Sequence, residues 1–262
     1  MMKARLFIAG LAQNCSRQLL SNIPSLLGLC KNFDCTGVIL ENGSVDNTRN
    51  IAEAFASKLN NGKVLTPEIP SGLTRYEKMA FLRNELLLEA SKVKPDFVCM
   101  VDLDIWHFEG TENYAPASDM VADTTFGLMP HPLVSGWHPS QKITWMGFDW
   151  VYYDLLAVEY SDGTRPNWQG DMLYPDTKDE FKKSQVSSVT KGMNVNSAYG
   201  GMAFYLYDAI KDIRYDGSDC EHIKFNKQLK AVRIIESVRG LYHPPVKIIE
   251  PPKPIKNAPE CT

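Results

Sequence analysis

The stretch Phe97-Val98-Cys99-Met100-Val101-Asp102-Leu103-Asp104 is an apolar run that ends abruptly in two aspartates separated by one residue. An apolar run of this length between polar residues predicts a buried strand at Phe97–Val101. Parallel sheets bind ligands at the carboxyl ends of their strands, so both aspartates are expected at a ligand-binding edge. Carboxylate oxygens at that edge suit a hard divalent cation that keeps open positions for substrate phosphates. The alternative is that the two acids only cap a loop.

The residues before this stretch alternate between strand and helix patterns. Short apolar runs predict strands at Leu6–Ala9 and Val38–Leu40. Apolar residues at helical spacing predict one helix capped by Ser16, a second that starts at Asp46-Asn47-Thr48 and a third from Arg75 to Val93. Strands that alternate with helices are typical of a parallel sheet covered by helices on both faces.

The chain changes character after the two aspartates. Residues 105–195 are rich in aromatic residues, proline and glycine and have a weaker periodicity, which predicts antiparallel strands and loops. An apolar run with two glycines follows at residues 198–205. It precedes a predicted helix from Glu221 to Lys230 and a predicted strand at Val232–Ile235.

Composition excludes several classes of protein. The 262 residues include 28 basic and 31 acidic side chains and are 44% apolar, with a formal net charge of −3. A nucleic-acid binder usually has a basic excess, and a disordered chain has few apolar residues and a large net charge, so neither class fits. No apolar stretch approaches the roughly 20 residues of a membrane-spanning helix. The six cysteines form no CxxC pair, and we expect free thiols, a reducing compartment and a cytoplasmic location.

Two further segments carry candidate chemistry. In Val38–Thr48 a strand runs into Glu41, a glycine turn and a helix cap. At a strand's carboxyl end Glu41 could accept a hydrogen bond from the N–H of a nucleobase, but the segment is equally a plain strand-to-helix connection. Arg83 lies four residues after Met79 and four before Leu87, so its guanidinium points toward the apolar face of the third helix. It either reaches solvent or is buried with an anionic partner, a carboxylate or a phosphate.

Taken in order, these segments resemble the nucleotide-sugar-dependent glycosyltransferases of the GT-A fold. The motifs that carry the likeness are Glu41-Asn42-Gly43-Ser44 with Asp46 and Thr48, Arg83-Asn84, Asp102-Leu103-Asp104, Tyr199-Gly200-Gly201, Cys220-Glu221-His222 and His243. The likeness extends over most of residues 5–243, leaves 105–195 unmatched, and is greatest to capsule-related mannosyl- and other hexosyltransferases. It implies an α/β fold with a mostly parallel central sheet, helices on both faces and a smaller antiparallel acceptor-side region.

The resemblance also implies a division of the chain. A single GT-A domain would occupy residues 1–243, with a nucleotide-binding half at 1–104 and an acceptor-binding half at 105–243. Residues 244–262 would form a C-terminal tail, since their prolines exclude regular helix or sheet.

The resemblance assigns roles on the donor side residue by residue. Asp104 would ligate Mn²⁺ or Mg²⁺, and Asp102 would meet the ribose or a metal-bound water in the same metal site. His243 would complete the metal shell. The metal would neutralise the departing diphosphate. Glu41 would read the base, and the remaining donor-binding residues would be Arg83, Gly200 and Gly201.

On the acceptor side the resemblance implies a base, because an inverting reaction needs a group that takes the proton of the acceptor hydroxyl. Glu221 is the candidate, and His222, which stands where a second acid is usual, could serve instead. Asp149 and Asp154 are weaker acceptor-side candidates. Trp168 is the tryptophan expected to stack on a sugar.

The implied activity is metal-dependent transfer of a hexose from a nucleoside-diphosphate sugar, with UDP-sugars ahead of GDP-sugars. The implied acceptor is a saccharide or a glycolipid-type molecule, as in polysaccharide biosynthesis. Two alternatives stay open. One is a catalytically silent nucleotide-sugar-binding module. The other is a nucleotidyltransferase, which normally begins with a glycine-rich phosphate loop, whereas residues 9–18 contain only Gly10.

Overall fold

The computed structural model describes residues 3–135, 144–152, 155–165, 193–229 and 231–241. The backbone alone is described for 126–135, 144–152, 155 and 236. The helices are α1 (Ser16–Leu29), α2 (Thr48–Ala56), α3 (Arg75–Val93), α4 (Tyr207–Ile210) and α5 (Glu221–Asn226). The strands are β1 (Ala4–Ala12), β2 (Phe33–Glu41), β3 (Lys63–Leu65), β4 (Phe97–Asp102), β5 (His107–Glu109), β6 (Ala122–Ser135), β7 (Thr144–Tyr152), β8 (Glu159–Tyr160), β9 (Asn194–Ser197), β10 (Met202–Leu206) and β11 (Val232–Leu241).

Within the described residues, eleven strands form one mixed sheet. The order along its main path is β3-β2-β1-β4-β10-β6-β11-β9-β8. Off this path, β5 pairs with β11 and β7 pairs with β6. The strands β3, β2, β1 and β4 run parallel to one another, as the alternating pattern of the first hundred residues predicts. From β10 onward most pairs are antiparallel, while β6 and β11 are parallel to each other.

The register of the parallel strands brings the predicted site residues to one edge. Ala12 at the end of β1 pairs with Glu41 on one side, and Leu11 pairs with Asp102 on the other. The carboxyl ends of β1, β2 and β4 therefore coincide. This edge is where an open α/β sheet places its ligands.

Helices cover both faces of the sheet, as expected. The side chains of α1 and α2 pack with one set of alternate strand residues, including Ile8, Ile39 and Cys99. The side chains of α3 and α5 pack with the other set, including Phe7, Leu40 and Met100. Strand residues buried on both faces explain why the first strands read as continuous apolar runs. No helix in the described part of the chain is both long and apolar enough to cross a membrane.

The starts of two helices show what the sequence did and did not specify. α3 begins and ends as predicted, and Thr74 closes its first turn by a capping box with Glu77. The prediction that Ser16 caps α1 is wrong, because Cys15 occupies the cap position and no side chain of the helix caps its amides. The amide of Cys15 donates instead to the Thr48 hydroxyl, and that of Ser16 donates to the Asp46 carboxylate, so the neighbouring turn supplies the acceptors.

Two predicted boundaries in the second half also differ. The helix expected over 221–230 ends at Asn226, and the strand expected over 232–235 continues to Leu241. The extension follows an irregularity between Ile235 and Arg239, after which the strand pairs with both β6 and β5. Apolar periodicity stops at this irregularity, so the sequence pattern gave no sign of the longer strand.

Candidate functional site

A cavity of about 290 Å³ lies at the carboxyl edge of the parallel strands. The ends of β1, β2 and β4 form one wall, and the first turns of α3 form the other. Asp102 and Asp104 line the strand side, and Arg75 and Lys78 line the helix side. One cavity thus presents two carboxylates and two cationic side chains. Such a site can take a cation and an anion together.

The two aspartates differ in their surroundings. Asp104 is exposed, and its pKa is raised, chiefly because the concave site removes part of its hydration. Asp102 is less exposed, and burial raises the pKa of its carboxyl to about 6, although Arg83 acts in the opposite direction and Asp104 adds repulsion. The two carboxyl groups line the same cavity and both have raised pKa values, so a bound cation would stabilise their ionised forms.

Arg83 lies beneath the cavity, almost fully buried, with 1% of its side chain exposed. Its Nη2 donates to both carboxylate oxygens of Asp102, at 3.0 and 3.3 Å, and its Nε donates to Oε1 of Glu221 at 3.2 Å. The guanidinium carbon also lies 4.9 Å from the ring centre of Tyr199 and 5.9 Å from that of Tyr215. Of the partners that the sequence left open, carboxylates are the ones observed. Arg83 joins the end of β4 to the start of α5, and its partner Glu221 lies 138 residues further along the chain than Arg83.

His222 follows Glu221 and is also buried. Its ring stacks on Tyr199 at a centroid distance of 3.7 Å, and its Nε2 lies 3.7 Å from Oε1 of Glu221. Neither ring nitrogen has a hydrogen-bond partner. Burial and the Arg83 charge hold the pKa of His222 well below its ordinary value, so the imidazole is neutral.

Glu41 stands at the end of β2 with its carboxylate buried. Oε1 accepts a hydrogen bond from the Ser44 amide at 2.6 Å, and Oε2 lies 3.6 Å from the Arg49 guanidinium. Its neighbours Leu40 and Asn42 line the cavity. The carboxylate therefore closes the turn between β2 and α2, which is the structural alternative that the sequence left open beside base reading.

Gly200 and Gly201 lie behind the cavity rather than on its open surface. The carbonyl of Gly201 accepts the amide of Asp102 at 2.9 Å, and the Gly200 amide donates to the Thr124 hydroxyl at 3.1 Å. Gly201 has φ +88°, and a Cβ there would stand 2.7 Å from Cγ1 of Ile105. Glycine at this position lets the residue before β10 pack against Ile105, which follows the two aspartates in the chain.

Comparison with solved structures identifies the architecture. A mannosyltransferase from Pyrobaculum calidifontis, solved with GDP-Man and Mn²⁺, matches 94% of this chain with a TM-score of 0.52 and 11% identity. GalNAc-T7, solved with UDP, GalNAc and Mn²⁺, matches 92% with a TM-score of 0.51 and 14% identity. The chain has the GT-A fold. It spans 59% and 44% of the length of those two chains. Comparison of the sequence with family models and with curated proteins finds no match.

Within the GT-A fold the structure gathers most of the predicted site residues into one region. Asp102 and Asp104 line the cavity, Arg83 and Glu221 lie directly behind it, and Glu41 ends the adjacent strand. The remaining predictions on His243, Asp154 and Trp168 fall outside the described residues. For Asp149, in β7, the backbone alone is described, and it pairs with His131 of β6.

Sequence reasoning missed Arg75 and Lys78, the cationic side of the cavity. The sequence does contain a signal for them, because Thr74 and Glu77 form a capping box that fixes where α3 starts. Residues of the first turn then face the carboxyl edge of the sheet. Arg75 also contributes to the electrostatic environment of Asp104, where its charge opposes the rise in pKa.

The carboxylate oxygens at this edge suit a divalent cation that prefers oxygen ligands. Asp104 offers an exposed carboxylate and Asp102 a second one, and hard cations such as Mn²⁺ or Mg²⁺ take carboxylates together with water and phosphate oxygens. Among the described residues no group of three or more potential His, Cys, Asp or Glu ligands comes together. The two carboxylates would thus provide part of a coordination shell, with positions left for a substrate.

Gly201 gives a test of how tightly this region is packed. Gly201→Ala is expected to lower the free energy of unfolding by about 2–4 kcal/mol, because a positive φ and overpacking against Ile105 add together. Gly72→Ala is the matched control, since Gly72 has φ +81° but no atom within 4 Å of a Cβ. Its cost should come from the backbone alone, about 1–2 kcal/mol. Equal losses for the two variants in denaturant titrations would contradict the described contact with Ile105.

Proposed function

We propose that this protein is a metal-dependent glycosyltransferase that transfers a hexose from a nucleoside-diphosphate sugar to a saccharide or glycolipid-type acceptor. The observation that carries the proposal is the cavity in which Asp102 and Asp104 face Arg75 and Lys78. A divalent cation held by carboxylates, together with an anion held by cationic side chains, is the chemistry of a metal-bound diphosphate. UDP-sugars are proposed as donors ahead of GDP-sugars.

In this proposal Asp104 is the main metal ligand and Asp102 completes the metal site. The metal supplies charge neutralisation for the departing diphosphate. Arg75 and Lys78 bind diphosphate oxygens from the helix side of the cavity. Arg83 acts as a positioning residue, because its two hydrogen bonds fix the direction of the Asp102 carboxylate. Each side chain thereby binds or orients the leaving group while the sugar carbon develops positive charge.

The other residues predicted to bind the donor take the roles that their observed contacts allow. Glu41 holds the turn after β2. To bind a nucleobase, its carboxylate would have to replace the hydrogen bond from the Ser44 amide with one from the base. Gly201 binds the amide of Asp102 and Gly200 binds Thr124 of β6, so both glycines hold the sheet behind the cavity rather than lining its open surface. His243, placed in the metal shell by the resemblance, remains a prediction.

Glu221 is proposed as the base that takes the proton of the acceptor hydroxyl. His222 is almost fully buried against Tyr199, so it is proposed to support Glu221 rather than to contact the acceptor. Glu221→Gln is expected to lower transfer to an acceptor by about 10²–10⁴-fold while Mn²⁺-dependent UDP or GDP binding stays within a few-fold of wild type. The measurement is parallel transfer kinetics and calorimetric binding. Loss of binding together with transfer would contradict the role of Glu221 as a base.

Metal binding is expected to depend on pH. A carboxylate must be ionised to ligate a metal, and the pKa of Asp102 is about 6. Only about a tenth of that carboxyl is ionised at pH 5, so Mn²⁺ affinity should be at least about tenfold weaker at pH 5 than at pH 7.5. The raised pKa of Asp104 acts in the same direction.

Calorimetric titration with Mn²⁺ at both pH values checks this expectation. Asp102→Asn is the matched variant, because it removes the group that titrates near pH 6 and keeps the shape of the side chain. Its affinity should change less between the two pH values than that of the wild type. Equal wild-type affinities at pH 5 and pH 7.5 would contradict the assignment of Asp102 to the metal site.

The experiment that tests the proposed donor site is calorimetric binding of UDP and of GDP with Mn²⁺, compared with a variant of the cationic wall. Arg75→Gln and Lys78→Gln together should weaken Mn²⁺-dependent binding by at least about tenfold. Lys92→Gln is the control, since Lys92 lies at the far end of the same helix. Unchanged binding in the Arg75 and Lys78 double variant would contradict a diphosphate in this cavity.

A further inference from the structure

A second cavity, of about 820 Å³, lies at the opposite edge of the sheet. The starts of β1 and β2, the end of α1 and part of the loop after α2 line it. Two cysteines, Cys30 and Cys35, are among the lining residues. Because this edge carries the amino ends of the parallel strands, it is separate from the proposed donor site.

Cys30 packs against the apolar cluster that contains Cys35, and the two side chains line the same cavity on either side of the turn between α1 and β2. Cys30 is the cap residue at the end of α1 and is partly exposed, whereas Cys35 lies within β2 and is buried. The ammonium of Lys3 donates to the Cys30 carbonyl at 3.0 Å, which brings a positive charge beside the Cys30 thiol. One accessible thiol next to a cation and one buried thiol in the same cluster are the parts of a redox-active pair.

The local electrostatics distinguish the roles of the two sulfurs. The neighbouring Cys35 side chain and the charge of Lys3 lower the pKa of Cys30, while the neighbouring Cys30 side chain and burial raise the pKa of Cys35. The thiolate is the reactive form of cysteine, so Cys30 is the sulfur that attacks first. Cys15 differs, because it is buried and its pKa is raised to about 12.

Cys99 is the other thiol on the same face of the sheet. Cys35 pairs with Leu6 of β1, and Cys99 pairs with Ile8 of the same strand on its other side. The two cysteines are therefore two strand spacings apart, roughly 10 Å. That distance exceeds the reach of a disulfide, which leaves Cys30 as the candidate partner of Cys35 at this edge of the sheet among the described residues.

We propose that Cys30 and Cys35 form a reversible intramolecular disulfide when the protein meets a small-molecule disulfide such as oxidised glutathione. The Cys30 thiolate attacks one glutathione sulfur, forms a mixed disulfide and expels one glutathione thiolate. Cys35 then loses its proton and attacks the Cys30 sulfur, which expels the second glutathione thiolate and closes the bond. Two protein thiols are oxidised, and one glutathione disulfide is reduced to two thiols. The bond links the end of α1 to β2.

Peptide mass mapping of the full chain tests the proposal. The folded protein is incubated with oxidised glutathione, its remaining thiols are alkylated, and the digest is analysed with and without reductant. In the wild type the Cys30 and Cys35 peptides should become resistant to alkylation, be joined by a disulfide and return to free thiols with reductant. Cys35→Ser should instead accumulate glutathione on Cys30, since no second thiol can expel it. Cys15→Ala is the control and should behave like the wild type.

Three outcomes would overturn the proposal. The first is that Cys30 and Cys35 of the wild type remain as open to alkylation as before exposure to oxidised glutathione. The second is a glutathione adduct that stays on Cys30 in the wild type, because a functional pair would resolve it. The third is a disulfide that joins either residue to a different cysteine, such as Cys261. The wild-type measurement decides among these results even where a variant folds poorly, and it needs no knowledge of the activity.

Discussion

Asp104→Asn is expected to lower Mn²⁺-dependent release of UDP or GDP from a nucleotide-sugar by at least about 100-fold. Asp104 is the exposed carboxylate of the cavity, and the amide of Asn carries no charge to hold the cation. A metal that stabilises a departing diphosphate contributes several kcal/mol to the transition state, so losing its main ligand costs about two orders of magnitude or more. The measurement is the rate of nucleotide release at saturating Mn²⁺.

The control for Asp104→Asn is Asp208→Asn. Asp208 is a surface residue in α4 with an ion pair to Lys211, so the substitution removes the same charge without touching the cavity. Its rate should equal that of the wild type within experimental error. Thermal unfolding of both variants checks that they are folded. An Asp104→Asn protein that is folded and releases nucleotide at the wild-type rate would contradict the metal site.

Arg83→Met is expected to reduce the free energy of unfolding at pH 8 by about 3–5 kcal/mol. Removing the guanidinium leaves the carboxylates of Asp102 and Glu221 close together without their shared cation, and an unpaired charge in a poorly hydrated site is costly. Urea titration measures the loss. The loss should shrink at pH 5, because Asp102, whose pKa is about 6, is then largely protonated and carries less negative charge.

The sign of this pH dependence follows from the shift at Asp102. Its folded-state pKa, about 6, lies above its ordinary value, so its ionisation opposes folding. The protonated form of Asp102 therefore stabilises the folded state. This contribution is fully present below the ordinary pKa, near 4, and is lost as pH rises through about 6. Without Arg83 the folded-state pKa should rise further, which moves that loss to higher pH.

Arg5→Met is the matched control for Arg83→Met. Arg5 also pairs with an aspartate, Asp96, at 3.2 Å, but both side chains are about half exposed, at 51% and 45%. A solvated pair of this kind contributes about 1 kcal/mol or less. Similar losses of unfolding free energy for the two variants would show that the buried ion pairs of Arg83 stabilise the protein no more than an exposed pair does. That result would contradict the proposed role of burial.

The strands and helices before Asp104 could be predicted because each buries its own apolar pattern. The third helix was predicted from Arg75 to Val93 and has those bounds. The strand that ends at Asp102 was predicted to within one residue. In both cases neighbours along the chain determine the element, and parallel strands with adjacent helices then bring their carboxyl ends to one edge.

Contacts between distant segments could not be read in the same way. The apolar position of Arg83 predicted an anionic partner, but nothing in the sequence said that Glu221 would supply one. Likewise Ser16 looks like a helix cap, yet Thr48 and Asp46 bind the amides at the start of α1. These partners depend on where separate loops meet in the folded chain. Glu41 is a further example, because a glutamate at this position suits both recognition of a nucleobase and closure of the turn. The sequence alone does not distinguish these two roles.

The most direct test of the proposed function is a panel of UDP- and GDP-sugars incubated with the wild-type protein, with and without Mn²⁺, and read by released UDP or GDP. We expect release from at least one donor with Mn²⁺ and a rate at least about tenfold lower without it. The contradictory result is a folded protein that UDP or GDP stabilises thermally in the presence of Mn²⁺, yet that releases no nucleotide from any donor and transfers no sugar. That result would identify a nucleotide-sugar-binding module instead of a glycosyltransferase.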